Sequence, residues 1–526
     1  MTYPWWSLLP FVAMLACIAL LPIIPKTSHW WEKESSQLTV ALALGVPTTI
    51  WMFVKAGTSP LIATSVEYVQ FIALLFALFV VSGGIHLAGD IKATPRNNTI
   101  FLAIGGLLAS FIGTTGAAML LIRPLLETNK ERQHRVHTVL FTIFIVANCG
   151  GILTPLGDPP LFLGYLHGVP FTWTFALWKE WLFVLMLLLL SYYSIDRVRY
   201  ASEDTASIEA DDRDVQPLRL HGVPFAWTFA LWKEWLFVLA LLLLSYYSID
   251  RVRYASEDTS SIEADDREVK PLSLHGTINL LFFAIIILSV AFAPSWDGEA
   301  LAEGHVHSWV DLVPWREVIM FAVAGLSYKL SDKKVRFEEN AFTWGPIMEV
   351  ATLFIGIFST MAPALRYLEQ IAPSLPLTRM TYFVFTGGLS SILDNAPTYM
   401  TFFEMAKASG GEGTLIAGVP EYYLIPISLG AVFCGAITYI GNGPNFMVKS
   451  VAESDGVPMP SFGRYIGYAF TLLVPVLAAM AMIFVGESWL VRGLGIALAA
   501  GLVFLALVRI RRAGLDEAVA DFSGNE

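Results

Sequence analysis

Uninterrupted apolar stretches constrain the fold of this chain of 526 residues more than any other feature. Leu38–Val54, Tyr68–Leu87, Thr277–Ala293 and Tyr465–Val485 are clear examples. A helix needs about 20 apolar residues to cross a bilayer, and these stretches are close to that length. The chain is 55% apolar and 15% charged, whereas soluble domains are about 45–50% apolar and about 25% charged. The sequence therefore predicts an all-α polytopic membrane protein with about 11–13 transmembrane helices.

Charge and cysteine content exclude several other classes of protein. The chain has 33 basic and 44 acidic residues, a net charge of −11, so no nucleic-acid partner is expected. Its three cysteines, Cys17, Cys149 and Cys434, lie in apolar stretches, which predicts buried free thiols. No cofactor and no resident metal site is predicted. The chain contains no HExxH, GxSxG or P-loop motif, so it is not expected to be an enzyme.

A tandem duplication interrupts the chain. Residues 166–219 recur as residues 220–273, with only six differences between the two copies. Structural repeats share a pattern rather than near-identity, so this one indicates a recent genetic event or an error of sequence assembly. Each copy contains one candidate span followed by the basic segment RVRY, and two consecutive spans cannot bring that segment to the same side of the membrane. We therefore expect that one copy crosses the membrane and that the other is a passenger.

Polar residues interrupt the apolar stretches in four places, which form two matched pairs. These motifs are residues 110–122, 148–162, 391–402 and 434–446. The first aligns with the third, so that Thr114 matches Asn395, and the second aligns with the fourth, so that Asp158 matches Asn442. The predicted organisation is a first transmembrane repeat (1–165), a span with an acidic linker (166–219), its duplicate (220–273), a second transmembrane repeat (274–512) and a polar tail (513–526).

Matched helix interruptions in two halves of a chain are typical of secondary transporters. In such proteins, ions and substrates bind near the bilayer midplane, where unwound backbone lines a cavity. The two halves are then expected to be inverted repeats with discontinuous helices. The alternative is that Gly and Pro only kink packed helices, since both residues are common in membrane spans.

Two carboxylates are the leading candidates for ion or proton binding. Asp394 and Asp158 each lie at a predicted helix break, and a carboxylate at membrane depth is costly unless it has a function. Two alternatives remain open. Asp394 could cap the helix that follows it, and the prolines after Asp158 could place that residue in a surface turn.

Other oxygen-bearing side chains near the breaks are candidate ligands for an alkali cation. They are Asn395, Thr398, Asn442, Thr154, Thr114, Thr115 and Asn445, each of which could instead be a packing or capping residue. Glu349 opens another apolar stretch and is a candidate proton carrier, with an interfacial acid as the alternative.

Three segments resemble the ion transporter superfamily, which includes NhaD-type Na⁺/H⁺ antiporters, ArsB-type anion transporters and citrate or dicarboxylate transporters. They are LSSILDNAPT (389–398), GGILTPLGDPP (150–160) and MEVATLFIGIF (348–358). The resemblance implies that Asp394 and Asp158 bind ions or protons and that Asn395, Thr398 and Asn442 line the broken helices. It also implies a bacterial inner-membrane protein that forms a homodimer. The antiporters carry an acid-Asn pair in both halves, whereas the first half here has Gly113 and Thr114 at that place.

The leading functional prediction is a Na⁺/H⁺ antiporter in which the two ions compete for Asp394 and Asp158. Its partners are small ions and the lipid bilayer. The alternative is a Na⁺- or H⁺-coupled citrate or dicarboxylate symporter, whose substrate is a carboxylate. Few basic residues lie near the breaks (Arg123 and Lys449 are the exceptions), which favours the antiporter.

Overall fold

A computed structural model shows a chain that is almost entirely helical, which confirms the prediction of an all-α polytopic membrane protein. The structure describes residues 2–22, 24, 26–31, 33–88, 92–203, 273–296, 301, 313–340 and 342–523. Within these ranges, seven helices are long and apolar enough to cross a membrane, and three apolar helices are shorter. The seven are Glu34–Ala56, Ser59–Ser82, Val136–Leu153, Trp173–Tyr200, Gly345–Ser374, Phe462–Val485 and Trp489–Ala513.

The helices before the duplication form the first half of the molecule. In chain order they are α1 (Leu9–Leu20), α2 (Ser28–Trp31), α3 (Glu34–Ala56), α4 (Ser59–Ser82), α5 (Pro95–Ile112), α6 (Thr114–Thr128), α7 (Val136–Ile145), α8 (Pro159–Leu166) and α9 (Trp178–Tyr200). Strand β1 (His86–Ala88) follows α4 and pairs with β2 (Ser273–His275) in an antiparallel ladder.

The helices after the duplication form the second half. They are α10 (Ile278–Phe292), α11 (Trp315–Leu330), α12 (Gly345–Ile371), α13 (Arg379–Ser390), α14 (Asn395–Ser409), α15 (Glu421–Cys434), α16 (Gly443–Ser454), α17 (Phe462–Leu472), α18 (Val474–Met480) and α19 (Trp489–Ser523). Strands β3 (Leu415–Ile416) and β4 (Val419–Pro420) form a short antiparallel pair between α14 and α15. Of the second copy, residues 220–273, only Ser273 is among the described residues, so the predictions about that copy lie outside them.

Helices α5 and α6 form a hairpin. The side-chain amides of Asn98, in the first turn of α5, and Asn129, just after α6, bond to each other at 2.7 and 3.0 Å. The chain reverses at Gly113, whose φ of +82° favours glycine over residues with a side chain. Both ends of the hairpin therefore lie on the same side of the molecule. Residues 99–112, one of the candidate spans in the sequence, are the first arm of this hairpin.

Helices α13 and α14 form the corresponding hairpin in the second half. The hydroxyl of Tyr382, near the start of α13, lies 3.3 Å from the hydroxyl of Ser409, at the end of α14. The candidate span 382–393 is thus also the arm of a hairpin.

Each half also contains one membrane crossing that is broken in the middle. In the first half, α7 is followed by a 3₁₀ turn, Cys149–Leu153, and then by α8. In the second half, α15 is followed by a 3₁₀ turn, Gly435–Ile437, and then by α16. Helix α8 packs on α14 and helix α6 packs on α16. The second arm of each broken crossing therefore packs against the second arm of the hairpin in the other half.

The end of the molecule where α4, α6, α9 and α11 finish is rich in lysine and arginine, and we call it the basic end. Two residues that follow α11 join it to α4 here. Arg336 donates to the Val80 carbonyl at 2.6 Å, and Asn340 donates to the Gly83 carbonyl at 2.9 Å. Cytoplasmic loops carry an excess of Lys and Arg, so the basic end is expected to face the cytoplasm.

The opposite end carries acidic side chains. His167, just after α8, lies 3.6 Å from Glu67 of α4 and 4.0 Å from Glu404 of α14. Helix α14 therefore ends on the side opposite to the end of α6. The two hairpins enter the molecule from opposite ends, and their tips meet between them.

Candidate functional site

The Asp158 carboxylate is the centre of the polar network at the junction of the two halves. Asp158 is 1% exposed and precedes α8, but its side chain does not cap that helix. Its Oδ1 accepts hydrogen bonds from Thr114 Oγ1 at 3.0 Å and from Asn442 Nδ2 at 3.3 Å. Its Oδ2 accepts one from Asn395 Nδ2 at 2.8 Å. Three neutral donors therefore hold this carboxylate, one from the first half and two from the second.

Four helices begin at this network. They are α6, α8, α14 and α16, whose first residues are Thr114, Pro159, Asn395 and Gly443. A helix N-terminus carries roughly +0.5 of an elementary charge, so four together contribute about +2. This partial charge offsets the negative charge of carboxylates in the site and explains how they can be buried without a basic neighbour.

Close backbone packing gives each broken crossing its shape. A Cβ on Gly157 would lie 1.9 Å from the Gly151 carbonyl oxygen, so no other residue fits that position without a backbone shift. The matching position in the second half is similar, since a Cβ on Gly441 would lie 2.5 Å from the Gly435 carbonyl oxygen. Glycine is therefore required immediately before both Asp158 and its counterpart Asn442.

Two threonines tie these broken crossings to the hairpins. Thr154 donates to the Ser110 carbonyl, and Thr438 donates to the Ser391 carbonyl at 2.5 Å. Thr154 was a candidate ion ligand in the sequence, but its hydroxyl bonds to backbone and is not part of the Asp158 network. Thr398 is similar, since its hydroxyl donates to the Asp394 carbonyl at 3.1 Å within α14.

Two asparagines, Asn148 and Asn445, form a second layer behind the residues that bond to the carboxylate. Asn148 accepts a hydrogen bond from Asn442 at 3.1 Å and donates one to Asn445 Oδ1 at 2.6 Å. Asn445 in turn donates to the carbonyls of Gly435 and Thr438 at 2.8 and 2.9 Å. Asn148 and Asn445 therefore fix the orientation of the Asn442 amide toward Asp158.

Two residues of this network were not among the candidates taken from the sequence. Asn148 is fully buried at the end of the apolar stretch that forms α7. Ser390 donates to Asn395 Oδ1 at 2.6 Å, which leaves the Asn395 amide nitrogen directed to Asp158. The sequence did contain a signal for Asn148. It is a lone polar residue at the end of an apolar stretch, shortly before the glycine pair Gly150-Gly151.

Asp394 has a different environment from Asp158. It is partly exposed and precedes α14, and its Oδ1 accepts a hydrogen bond from the Ala396 backbone N–H at 3.0 Å. The side chain thus caps α14, as one of the two interpretations of the sequence proposed. It also lines the same cavity as Asp158.

The remaining candidates are divided between the cavity and the exterior. Thr115 lines the cavity beside Asp158. Glu349 is exposed on α12, where it accepts a hydrogen bond from Gln37 of α3 at 2.9 Å. The structure does not bring Glu349 to the network.

A cavity of about 120 Å³ lies beside Asp158. Its apolar wall includes Phe71 and Leu78 of α4 and Phe354 of α12, and Ser82 and Met447 place it on the side of the basic end. No lysine or arginine is among its lining residues. A water needs roughly 10–15 Å³ of such volume, so the cavity has room for several waters or for a partly hydrated ion.

The side of Asp158 that faces the opposite end is closed by packing. A Cβ on Gly164 of α8 would lie 2.4 Å from the Tyr399 hydroxyl of α14. Tyr399 is 1% exposed, and Phe403 and Phe162 are fully buried. In this conformation the cavity therefore lies on the basic-end side of Asp158, and packed side chains lie on the other side.

The chemistry of this site is that of hard oxygen ligands. The Asp158 carboxylate and the Thr114 hydroxyl are oxygen ligands of the kind that small cations such as Na⁺ accept, and they are poor ligands for soft metals. The amides of Asn395 and Asn442 present nitrogen, not oxygen, to Asp158. Among the described residues there is no group of three His, Cys, Asp or Glu side chains that could hold a transition metal.

One comparison with known proteins gives a family. A family model described as putative citrate transport matches residues 1–222 and 217–485. The two matched stretches meet at the junction of the duplicated segments, 166–219 and 220–273, so each contains one copy. No curated protein matches the sequence.

Proposed function

We propose that this chain, which belongs to the putative citrate transport family, is a secondary active transporter that exchanges Na⁺ for H⁺ at Asp158. The observation that carries the proposal is the Asp158 network. A fully buried carboxylate accepts three hydrogen bonds from neutral side chains and has no basic residue beside it in the cavity. Such a carboxylate can bind either a proton or a cation, and binding of one excludes the other.

The positions of the oxygen atoms support competition between the two ions. Asp158 and the Thr114 hydroxyl lie within hydrogen-bond distance of each other at the cavity. Na⁺ bound by them would face ionised Asp158, whereas a proton on Asp158 would remove the negative charge that attracts Na⁺. The exchange of one ion for the other therefore needs no ligand other than the Asp158 carboxylate and the Thr114 hydroxyl.

Alternating access follows from the pairing of the two halves. The cavity lies on the basic-end side of Asp158, and Tyr399 packs against Gly164 on the opposite side. Because α6 packs on α16 and α8 packs on α14, a movement that exchanges the two sets of contacts would open the opposite end and close the basic end. We propose that Asp158 is exposed to one side at a time in this way, in the inner membrane of a bacterium.

The test is ion exchange in liposomes that contain the purified protein and no carboxylate. An outward Na⁺ gradient is applied and internal pH is followed with a dye. We expect Na⁺-dependent proton movement with the wild-type chain and its loss in Asp158→Asn. Glu453→Gln is the matched control, since Glu453 lies on α16 outside the network, where it pairs with Lys449 at 2.8 Å. Proton movement that is unchanged in Asp158→Asn would refute the proposal.

A second candidate is cation-coupled symport of citrate or a related carboxylate. It is favoured by the family description and by the four helix N-termini at the site, which attract anions. Because the cavity has no basic side chain, this substrate would have to bind together with cations that neutralise it.

The same liposomes distinguish the two candidates. Citrate-dependent Na⁺ or H⁺ uptake without exchange in the absence of citrate would support symport and contradict antiport. Na⁺/H⁺ exchange that is indifferent to citrate would support antiport.

A further inference from the structure

The residues that line the cavity beside Asp158 fall into two chemical groups, of which the first is polar. It includes the carboxylates of Asp158 and Asp394 and the hydroxyl groups of Thr114 and Thr115. Among the described residues that line the cavity, none is a lysine or an arginine. The partial charge of about +2 from the four helix N-termini only balances the two carboxylates, so no positive charge remains for a substrate anion. A cation, in contrast, gains directly from ionised Asp158.

The second group is an apolar wall formed by α4 and α12. The wall includes Phe71, Leu75 and Leu78 of α4 and Val350 and Phe354 of α12. Phe71 is fully buried and stacks on Phe354, with the ring centroids 4.7 Å apart. These rings hold each other in place, so the wall exists before any ligand binds, as in most small-molecule sites.

Na⁺ makes no use of this apolar wall. Asn395 and Asn442 direct nitrogen to Asp158, so few oxygen ligands surround the carboxylate, and bound Na⁺ would keep waters as its remaining ligands. A buried water needs roughly two to four polar partners. Apolar side chains provide none, so Na⁺ and its waters are poorly matched to the side of the cavity that α4 and α12 form.

The volume of the cavity sets the size of a cation that would use both groups. The volume is about 120 Å³, and an apolar cavity of about 150 Å³ accepts benzene. A ligand slightly smaller than benzene therefore fits. Butylammonium has this size, and it combines one positively charged end with an alkyl chain that can cover the wall.

The hydrogen bonds of Asp158 also match a primary ammonium group. An ionised carboxylate accepts about four hydrogen bonds, and a primary ammonium group has three N–H donors. Asp158 already accepts bonds from Thr114, Asn395 and Asn442. One acceptor position of Asp158 thus remains for an N–H group, and the hydroxyl oxygen of Thr114 lies beside it.

We propose that the cavity binds small primary alkylammonium ions, with the ammonium group on Asp158 and the alkyl chain against the wall of α4 and α12. The transporter then exchanges these organic cations, as well as Na⁺, for protons. Binding moves the proton of Asp158 to water and puts the ammonium charge in its place, so the charge of the occupied site does not change. The inference rests on the proposed function, because it uses the same exchange at Asp158.

The test counts the protons that are released when a cation binds. Purified full-length protein in weakly buffered detergent solution near neutral pH is titrated with the chlorides of Na⁺ and of methyl-, ethyl-, propyl- and butylammonium, all adjusted to the same pH. Because no membrane separates two compartments, diffusion of neutral amine does not disturb the measurement. Choline chloride and 1-butanol are the controls. Choline is bulkier and has no N–H on its nitrogen, and 1-butanol has the shape of butylammonium without its charge.

We expect every alkylammonium ion to release as many protons at saturation as Na⁺ does. Each methylene group that is buried against the wall should lower the half-saturating concentration about fourfold, which amounts to about fiftyfold between methylammonium and butylammonium. Choline and 1-butanol should release no protons. Asp158→Asn should release none with any of the salts.

Val350→Phe tests the wall separately from the carboxylate. A phenyl ring at this position fills part of the cavity, so the half-saturating concentration of butylammonium should rise at least about tenfold relative to that of Na⁺. Val318→Phe is the matched control. Val318 is 46% exposed on α11 and does not line the cavity, so this variant should keep the ratio of the wild-type chain.

Two results would overturn the proposal and leave Na⁺/H⁺ exchange intact. One is proton release by Na⁺ but by no alkylammonium ion, and the other is a half-saturating concentration that does not fall with chain length. Release by butylammonium that persists in Asp158→Asn would equally refute the proposal. Release by alkylammonium ions but not by Na⁺ would support it and would contradict Na⁺ as the exchanged cation. No release by any cation would contradict both this proposal and the proposed function.

Discussion

Substitution of Gly157 by alanine tests whether the backbone of the first broken crossing positions Asp158. A Cβ at residue 157 would lie 1.9 Å from the Gly151 carbonyl oxygen, and an ordinary contact needs at least 3.4 Å. The backbone must therefore move by about 1.5 Å, the difference between these distances, because neither atom belongs to a flexible side chain. Asp158 is the next residue, and its hydrogen bonds of 2.8 to 3.3 Å cannot all survive such a shift.

The expected cost combines two effects. Overpacking of a close-packed site costs about 1–3 kcal/mol, and each hydrogen bond lost by a charged group costs about 1.5–3 kcal/mol. With one such bond lost, Gly157→Ala should lower the free energy of unfolding by about 3 kcal/mol or more and abolish transport. The assays are thermal unfolding in detergent and ion flux in liposomes.

Gly443→Ala is the matched control for this experiment. Gly443 also lies at a helix break, but a Cβ there meets nothing within 4 Å. We expect its stability to be unchanged or slightly raised, because alanine is favoured over glycine in a helix by about 1 kcal/mol. If Gly157→Ala were as stable and active as Gly443→Ala, the close approach of residues 151 and 157 would not determine the site.

Two further predictions concern capping groups. Asp394→Asn should keep the stability of the wild-type chain, because asparagine is an equally good N-cap, whereas Asp394→Leu should cost about 0.5–2 kcal/mol in the same thermal assay. Arg336 donates to the carbonyls of Val80 and Ser327 in the last turns of α4 and α11, and it is 1% exposed. Burial lowers the pKa of Arg336 to about 10. This pKa is still well above neutral pH, so the side chain is charged there. Arg336→Met should lower the free energy of unfolding by about 1–3 kcal/mol, because the Val80 carbonyl loses its hydrogen bond from Arg336. Lys333→Met, at an exposed position, is its control and should change nothing.

The positions of the helix breaks could be predicted from the sequence because their signals are local. The gapless alignment of the first and third motifs matched Thr114 with Asn395, and these are the first residues of α6 and α14. Gly113 supplies the positive φ before α6, and Asp394 supplies the cap before α14. Such residues act on neighbouring backbone and leave a readable pattern.

The distinction between spans and hairpins could not be predicted in the same way. Residues 99–112 and 382–393 are as apolar as the arm of a true span, and hydropathy does not record on which side a helix ends. The reversal depends on contacts across the hairpin, such as the paired amides of Asn98 and Asn129, which are 31 positions apart.

The different roles of the two carboxylates could not be predicted from the sequence either. Asp158 and Asp394 each lie at a predicted helix break, with proline at the next position after Asp158 and three positions after Asp394, so their local patterns do not distinguish their roles. Their roles differ because Asn395 comes from the second half, 237 positions away, to bond Asp158, whereas Asp394 bonds within its own helix. Glu349 illustrates the same limit, because a helix that is apolar on all sides does not show which face meets the core.

Proton release on Na⁺ binding is the most direct test of the claim that the two ions compete for Asp158. Purified protein in weakly buffered detergent solution is titrated with NaCl, with choline chloride as the control salt, and the change of pH is recorded. The account predicts Na⁺-dependent proton release from the wild-type chain and from Glu453→Gln, and none from Asp158→Asn. Equal release from Asp158→Asn, or no release from the wild-type chain between pH 5 and 9, would contradict it.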